Sequence, residues 1–149
     1  SHTAEDGRSN VITLGQQRFR LLEIVRKAPF MSGMVSWIED EAVLDEDELK
    51  KLSVSVLTAL KDVVSLTGKL TGTETALPED LPDLPRELSF WIGAHLGGPV
   101  SQEQQHLLEI TNTANRLKRE YEMLDHTRRQ LAARTALKET FANVDQTNN

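Results

Sequence analysis

The chain has 149 residues, a formal net charge of −6, 38% hydrophobic and 27% charged residues, and no cysteine. That length suffices to bury the core of one domain or two small lobes, and the composition is that of a globular rather than a disordered protein. The acidic balance argues against a nucleic-acid role, which needs a basic surface. The missing cysteines exclude disulfides and thiolate chemistry, and no apolar run reaches the length of a membrane span.

Taken in order, the chain opens with a polar stretch, Ser1 to Asn10, whose Asp6-Gly7 suits a hairpin turn. Val11 to Leu14 reads as a short strand. Arg18 to Arg26 carries Phe19, Leu21, Leu22, Ile24 and Val25 in an imperfectly alternating β run, interrupted by Pro29; Met31 to Ile38 is a third strand. Local pairing predicts an antiparallel meander.

The pattern changes near Asp45, where Asp45-Glu46-Asp47-Glu48 supplies a cap and an acidic first turn. Leu49, Leu52, Val56, Leu60, Val63 and Leu70 follow at helical spacing. Thr73 to Asp83, with Pro78 and Pro82, is an extended linker. Leu84 to Leu96 is a second helix, with Pro85 in its first turn and Gly97-Gly98-Pro99 behind it. Ser101 to Gln104 is a capping box for a short third helix. A long fourth helix opens at Thr111 or Thr113, with Ile110, Ala114, Leu117, Tyr121, Leu124 and Leu131 in one stripe, and is expected to run to about Phe141. Its charges suggest i,i+4 pairs on a solvated face, Arg116 with Glu120 and Lys118 with Glu122. The expected division is a β-lobe over residues 1–44, a helical lobe over 45–144 and a disordered tail over 145–149.

The sequence carries none of the familiar catalytic or ligand constellations. His2, His95, His106 and His126 lack the spacing of zinc ligands. Ser32 and Ser89 sit in no nucleophile elbow, and Gly68-Lys69 is followed by Leu70 where a phosphate-binding loop needs a hydroxyl. The carboxylates from Glu39 to Glu48 are close in sequence and read as an exposed loop and helix cap rather than an acid/base pair in a cleft. The expectation is therefore no catalytic residue, no metal and no cofactor.

Gly15-Gln16-Gln17-Arg18-Phe19-Arg20-Leu21-Leu22, then Leu88-Ser89-Phe90-Trp91-Ile92, Glu103-Gln104-Gln105, Thr113-Ala114-Asn115-Arg116-Leu117-Lys118-Arg119-Glu120 and Leu131 to Lys138 form an ordered series. It resembles the N-terminal substrate-binding domain of the Lon proteases, in particular the stand-alone Lon-domain proteins of cyanobacteria and plastids. The resemblance implies an α+β fold: a partial PUA-like antiparallel β-lobe, then a helical lobe ending in a long helix. It implies recognition of unfolded or degron-bearing polypeptides in the cytoplasm or plastid stroma, with a protease or chaperone as a further partner and with neither nucleic acid nor membrane as partner. The ATPase and Ser-Lys protease domains of full Lon proteases are not on this chain, so no enzymatic activity is carried over. Family members usually begin with an earlier proline-rich β segment, whereas this chain starts inside a hairpin. It is thus expected to be a partial chain with an open sheet edge through which it self-associates.

The candidate polypeptide contacts are Phe30, Met31, Met34 and Trp37 around the proline-interrupted turn, and Phe90. Methionines and aromatics adapt to varied apolar partners, although apolar residues in strands are more often core. The alternative function is a structural adaptor that docks one folded partner through the helical lobe.

Overall fold

Among the described residues, two antiparallel ladders and four helices make up an α+β architecture. The computed structural model describes residues 2–3, 9–10, 12–96 and 102–147, with side chains described for 12–96 and 102–141. The chain divides into a strand unit, Ser1–Glu39, and a helical unit, Asp40–Asn149.

In the strand unit, β1 (His2–Thr3) pairs with β2 (Ser9–Asn10), and the Asp6-Gly7 turn expected between them lies outside the described residues. The strand expected at Val11–Leu14 is not present as such. Residues 12–18 have no regular structure, and Ile12 and Leu14 stand almost fully exposed; Val11 lies outside the described residues. The expected three-stranded meander is instead a two-stranded hairpin, β3 (Phe19–Arg26) with β4 (Ser32–Trp37). One backbone bond beyond the ladder, from Ile38 N–H to Arg18 O, extends it.

In the helical unit, α1 (Glu46–Thr71) starts where Asp45 accepts a hydrogen bond from the Glu48 N–H at 2.9 Å. This is the side-chain cap that the acidic run supplies for a helix start. It ends at Gly72, whose φ of 71° is a left-handed conformation that a side chain disfavours. α2 (Pro85–His95) begins with a proline, whose missing N–H costs nothing in a first turn. α3 is Gln102–Glu109; Ser101 of its expected capping box lies outside the described residues. α4 (Thr113–Thr147) is capped by Asn112, which accepts from the Asn115 N–H. It continues past Phe141 because its last turns contain neither proline nor glycine. Of the expected tail, Asn148 and Asn149 lie outside the described residues.

Three ties fix the direction of α1 against α4. Lys118 Nζ lies 2.8 Å from Glu48, Arg128 lies 3.1 Å from Asp62, and Lys138 Nζ donates to Leu70 O at 3.0 Å. Both series ascend together, so the two helices run parallel. Between them and α2, a core forms from Leu49, Val56, Leu60, Leu88, Ile92, Leu117 and Leu124. Each such side chain contributes roughly 1.5–3 kcal/mol on burial. Leu77 and Leu81 of the proline-rich linker pack against its rim.

Candidate functional site

The strand unit presents apolar side chains that its own fold does not cover. Two strands alone cannot bury either face. Phe19 stands opposite Trp37, Leu21 opposite Val35 and Ile24 opposite Gly33, which places Phe19, Leu21, Ile24, Val35 and Trp37 on one face. All five are exposed. Phe19 and Trp37 meet edge to face, with ring centroids 6.3 Å apart. Gly33 is required here: a Cβ at that position would lie 2.6 Å from Leu21 Cδ1 and 2.8 Å from Glu23 O. The opposite face holds Arg20 across from Ser36, and Glu23 across from Met34.

The register shifts twice, between Leu21 and Glu23 and between Ile24 and Arg26. Both extra residues belong to β3, so β3 is the bulged strand and β4 the regular one. The connection carries a cis Ala28–Pro29 bond, and the Arg26 guanidinium lies 3.9 Å over the Phe30 ring.

Of the five residues singled out from sequence, four belong to this hairpin. Phe30 and Met31 lie at the turn, 62% and 69% exposed; Met34 and Trp37 lie on opposite faces of β4, 55% and 66% exposed. Phe90 belongs to the helical unit, where it is half-buried and one ring face carries the Arg116 guanidinium at 4.0 Å. Sequence reasoning did not single out Phe19, Leu21, Ile24 and Val35 as surface. Their alternation was visible, but not their exposure.

The helical unit contains a buried polar cluster instead. Arg116 donates to Asp40 Oδ1 at 3.1 Å, to Ile110 O at 2.6 Å and, through Nε, to Ser89 Oγ at 2.8 Å. Thr113 Oγ1 donates to the same Asp40 carboxylate. Next to it, Glu41 accepts from Thr111 and Asn112, and these bonds, that of Asn112 first, hold its carboxyl below the usual carboxylate range. The expectation that Arg116 and Asp40 are solvated is thereby corrected. Their neighbours Ser89 and Ile110 O come from elements that local spacing does not bring together. The expected i,i+4 pairs do not hold either: Arg116 pairs with Asp40, and Lys118 with Glu48.

Glu120 is fully buried, and neither carboxylate oxygen has a hydrogen-bond partner. Burial pushes its pKa up to about 9, against the opposing effect of Arg116. The carboxyl faces α2 and α3, with Oε1 3.5 Å from where a Cβ on Gly93 would stand, beside Leu107. Among the described residues, no three His, Asp or Glu side chains are grouped as a metal site, and no helix is long and apolar enough to cross a membrane.

Residues 1–126 match the family model described as the ATP-dependent protease La (LON) substrate-binding domain. The chain belongs to this family. Among curated relatives, it is 30% identical over 124 residues to the Lon protease of Anaeromyxobacter dehalogenans (strain 2CP-C), a match covering 83% of this chain and 14% of that protein. Lon protease 2 of Myxococcus xanthus gives 30% over 124 residues, with 83% and 15% covered. The Lon protease of Trichlorobacter lovleyi (strain ATCC BAA-1151 / DSM 17278 / SZ) gives 28% over 126 residues, with 80% and 15% covered. The chain thus spans about one seventh of the length of these Lon proteases. The similarity lies in the Lon substrate-binding region, which contains both the exposed hairpin and the Asp40–Arg116 cluster.

Proposed function

We propose that this Lon substrate-binding domain is a non-catalytic polypeptide-recognition module serving proteolysis or protein quality control. The observation that carries this reading is the contiguous, uncovered apolar surface of the β3–β4 hairpin. Monomeric soluble proteins rarely leave such a patch open unless it meets a partner. Phe30, Met31, Met34 and Trp37 supply the adaptable aromatic and thioether contacts that a binder of varied sequences needs. Phe90, half-buried beneath the Arg116 guanidinium, is the fifth candidate contact. The partners are unfolded or degron-bearing polypeptides, handed to a protease or chaperone in the cytoplasm or plastid stroma. Without such a partner, the same open edge pairs two copies of the chain.

Titration of the 149-residue chain into a labelled, permanently unfolded polypeptide tests this reading, with the folded form of the same polypeptide as control and anisotropy as readout. Preference for the unfolded form is the expected result. Binding of neither form, or of one folded partner alone, transfers the function to an adaptor role.

A further inference from the structure

α3 is the most separable element of the helical unit. Its eight residues are too few for a helix that is stable alone in water, so its helicity depends on its seat. Leu107 is its one buried side chain, and it lies outside the core cluster that α1, α2 and α4 share. Polar ties complete the seat: Gln104 donates to Gly93 O at 3.2 Å, and Arg119 pairs with Glu103 at 2.9 Å. The chain that follows α3 is pinned. Arg116 donates to Ile110 O, and the Glu41 N–H donates to Thr111 O at 2.8 Å. Under α3 lies the Glu120 carboxyl, fully buried and without a hydrogen-bond partner on either oxygen. Glu120 Oε1 and Leu107 Cδ1 each lie 3.5 Å from the Cβ position of Gly93, so carboxyl and leucine share the space left by that glycine.

We propose that α3 is a hinged cover over Glu120, seated while the carboxyl is protonated and released about residues 110–112 when it ionises. A buried carboxylate without partners is far costlier than the neutral acid, and ionisation therefore drives whichever neighbour yields most readily. α2 does not yield, because Leu88 and Ile92 hold it in the core; α3 has Leu107 alone. On release the carboxyl gives its proton to water, and the carboxylate and the seat of Leu107 open to solvent. The charges around Glu120 leave this role to it. On α4, Arg116 opposes the burial, but its guanidinium is bonded to Asp40, Ser89 and Ile110 O. On α3, Glu103 is held by Arg119, Glu109 accepts from Gln105, and His106 is exposed. On α2, Arg86, Glu87 and His95 are exposed. α1 meets α4 through Glu48 with Lys118 and Asp62 with Arg128, pairs that water reaches. The seated form keeps the proton up to about pH 9, whereas an ordinary carboxyl loses it near 4.5. Between these values release becomes easier by about tenfold per pH unit.

Native-state hydrogen exchange on the full 149-residue chain tests this, at pH 6, 7 and 8 and at several urea concentrations below the unfolding transition. Rates are corrected for the intrinsic pH dependence of exchange. Protection of the α3 amides should fall about a hundredfold from pH 6 to pH 8 and should hardly respond to urea, the mark of a local opening. Amides of α1 and of residues 117–124 should stay better protected and should respond strongly to urea, the mark of global unfolding. Glu120→Gln, neutral at every pH, should make α3 protection level with pH. His106→Gln, which removes the one histidine of α3, should leave the parent's decline in place. Circular dichroism checks that both variants fold; if Glu120→Gln does not, the urea response of the parent still decides between local and global opening. Protection in α3 that is level with pH in the parent overturns the proposal. So does a decline that α3 shares with α1 at equal urea dependence, since the carboxyl is then relieved by global unfolding. A decline that persists in Glu120→Gln, or vanishes in His106→Gln, overturns it as well.

Discussion

The Arg116 guanidinium, 1% exposed, pairs with the Asp40 carboxylate, 7% exposed, although 76 residues separate them in the chain. Asp40 is the first residue of the helical unit, and Arg116 lies in the first turn of α4. The pair therefore ties the start of the unit to its longest helix. Ser89, Ile110 O and Thr113 satisfy further donors and lone pairs in the cluster. Removing one partner leaves the other charge buried without compensation, which costs about 3–5 kcal/mol. Asp40→Ala is expected to lower stability by that amount in urea denaturation. Asp62→Ala, which removes the half-exposed partner of Arg128, is expected to cost about 1 kcal/mol or less. Equal losses for the two variants would mean that the Asp40 pair is not buried in solution.

Glu120 makes stability depend on pH. Its folded-state pKa of about 9 lies well above the ordinary carboxylate value of 4.5. Between these values the unfolded chain has released a proton that the folded chain retains. Stability is therefore greatest below about pH 4.5 as far as this group is concerned, falls as pH rises toward 9, and is level beyond. The contribution lost by pH 7 is on the order of 3 kcal/mol. Glu120→Met, which fills the space without a titratable group, is expected to remove this slope and raise the urea midpoint at pH 8. A variant whose midpoint still declines in parallel with the parent between pH 5 and 9 would assign the slope elsewhere.

The legible parts of the fold were those set by local spacing. The Leu49–Leu70 stripe, the Asp45 cap and the proline at the start of α2 each act within a turn or two, so sequence alone placed them. Arg116 shows where that stops. Its spacing to Glu120 was correct for an i,i+4 pair, yet its guanidinium bonds to Asp40, Ser89 and Ile110 O, which only the tertiary fold gathers. Glu120, deprived of that partner, is left buried and unpaired. At the candidate site, the alternation from Phe19 to Arg26 revealed a strand. It could not reveal whether a second layer covered it, because inward and outward faces look alike when both carry apolar residues.

Two glycines separate steric necessity from tolerance. A Cβ on Gly93 would meet Glu120 Oε1 and Leu107 Cδ1 at 3.5 Å, which is ordinary contact distance. Gly93 lies inside α2, so Gly93→Ala should stabilise the helical unit by about 0.5–1 kcal/mol. At Gly33 the Cβ would stand 2.8 Å from the backbone oxygen of Glu23, and no side-chain rotation relieves that clash. Gly33→Ala is expected to weaken the β3–β4 ladder. Hydrogen exchange that quickens in residues 19–37 while α1 and α4 stay protected is the corresponding signature. Protection that is unchanged in β3 and β4 would show that the two strands are not packed this closely.

The exposure of Trp37 and Phe30 distinguishes a binding surface from a core. A buried aromatic truncated to alanine costs about 3–5 kcal/mol. Trp37 is 66% exposed and touches Phe19 edge to face, and Phe30 is 62% exposed beneath Arg26. Trp37→Ala and Phe30→Ala should therefore each cost about 1 kcal/mol or less in stability, the scale of a single exposed aromatic or cation–π contact. Their effect on affinity for unfolded polypeptide should be larger, because aromatic anchors dominate binding surfaces, with losses of about 1–2 kcal/mol each. Measuring denaturation and anisotropy on the same variants separates the two roles. Large stability losses for both would place these rings in a core and move the binding surface elsewhere. Intact stability with weakened binding would place the polypeptide on the hairpin.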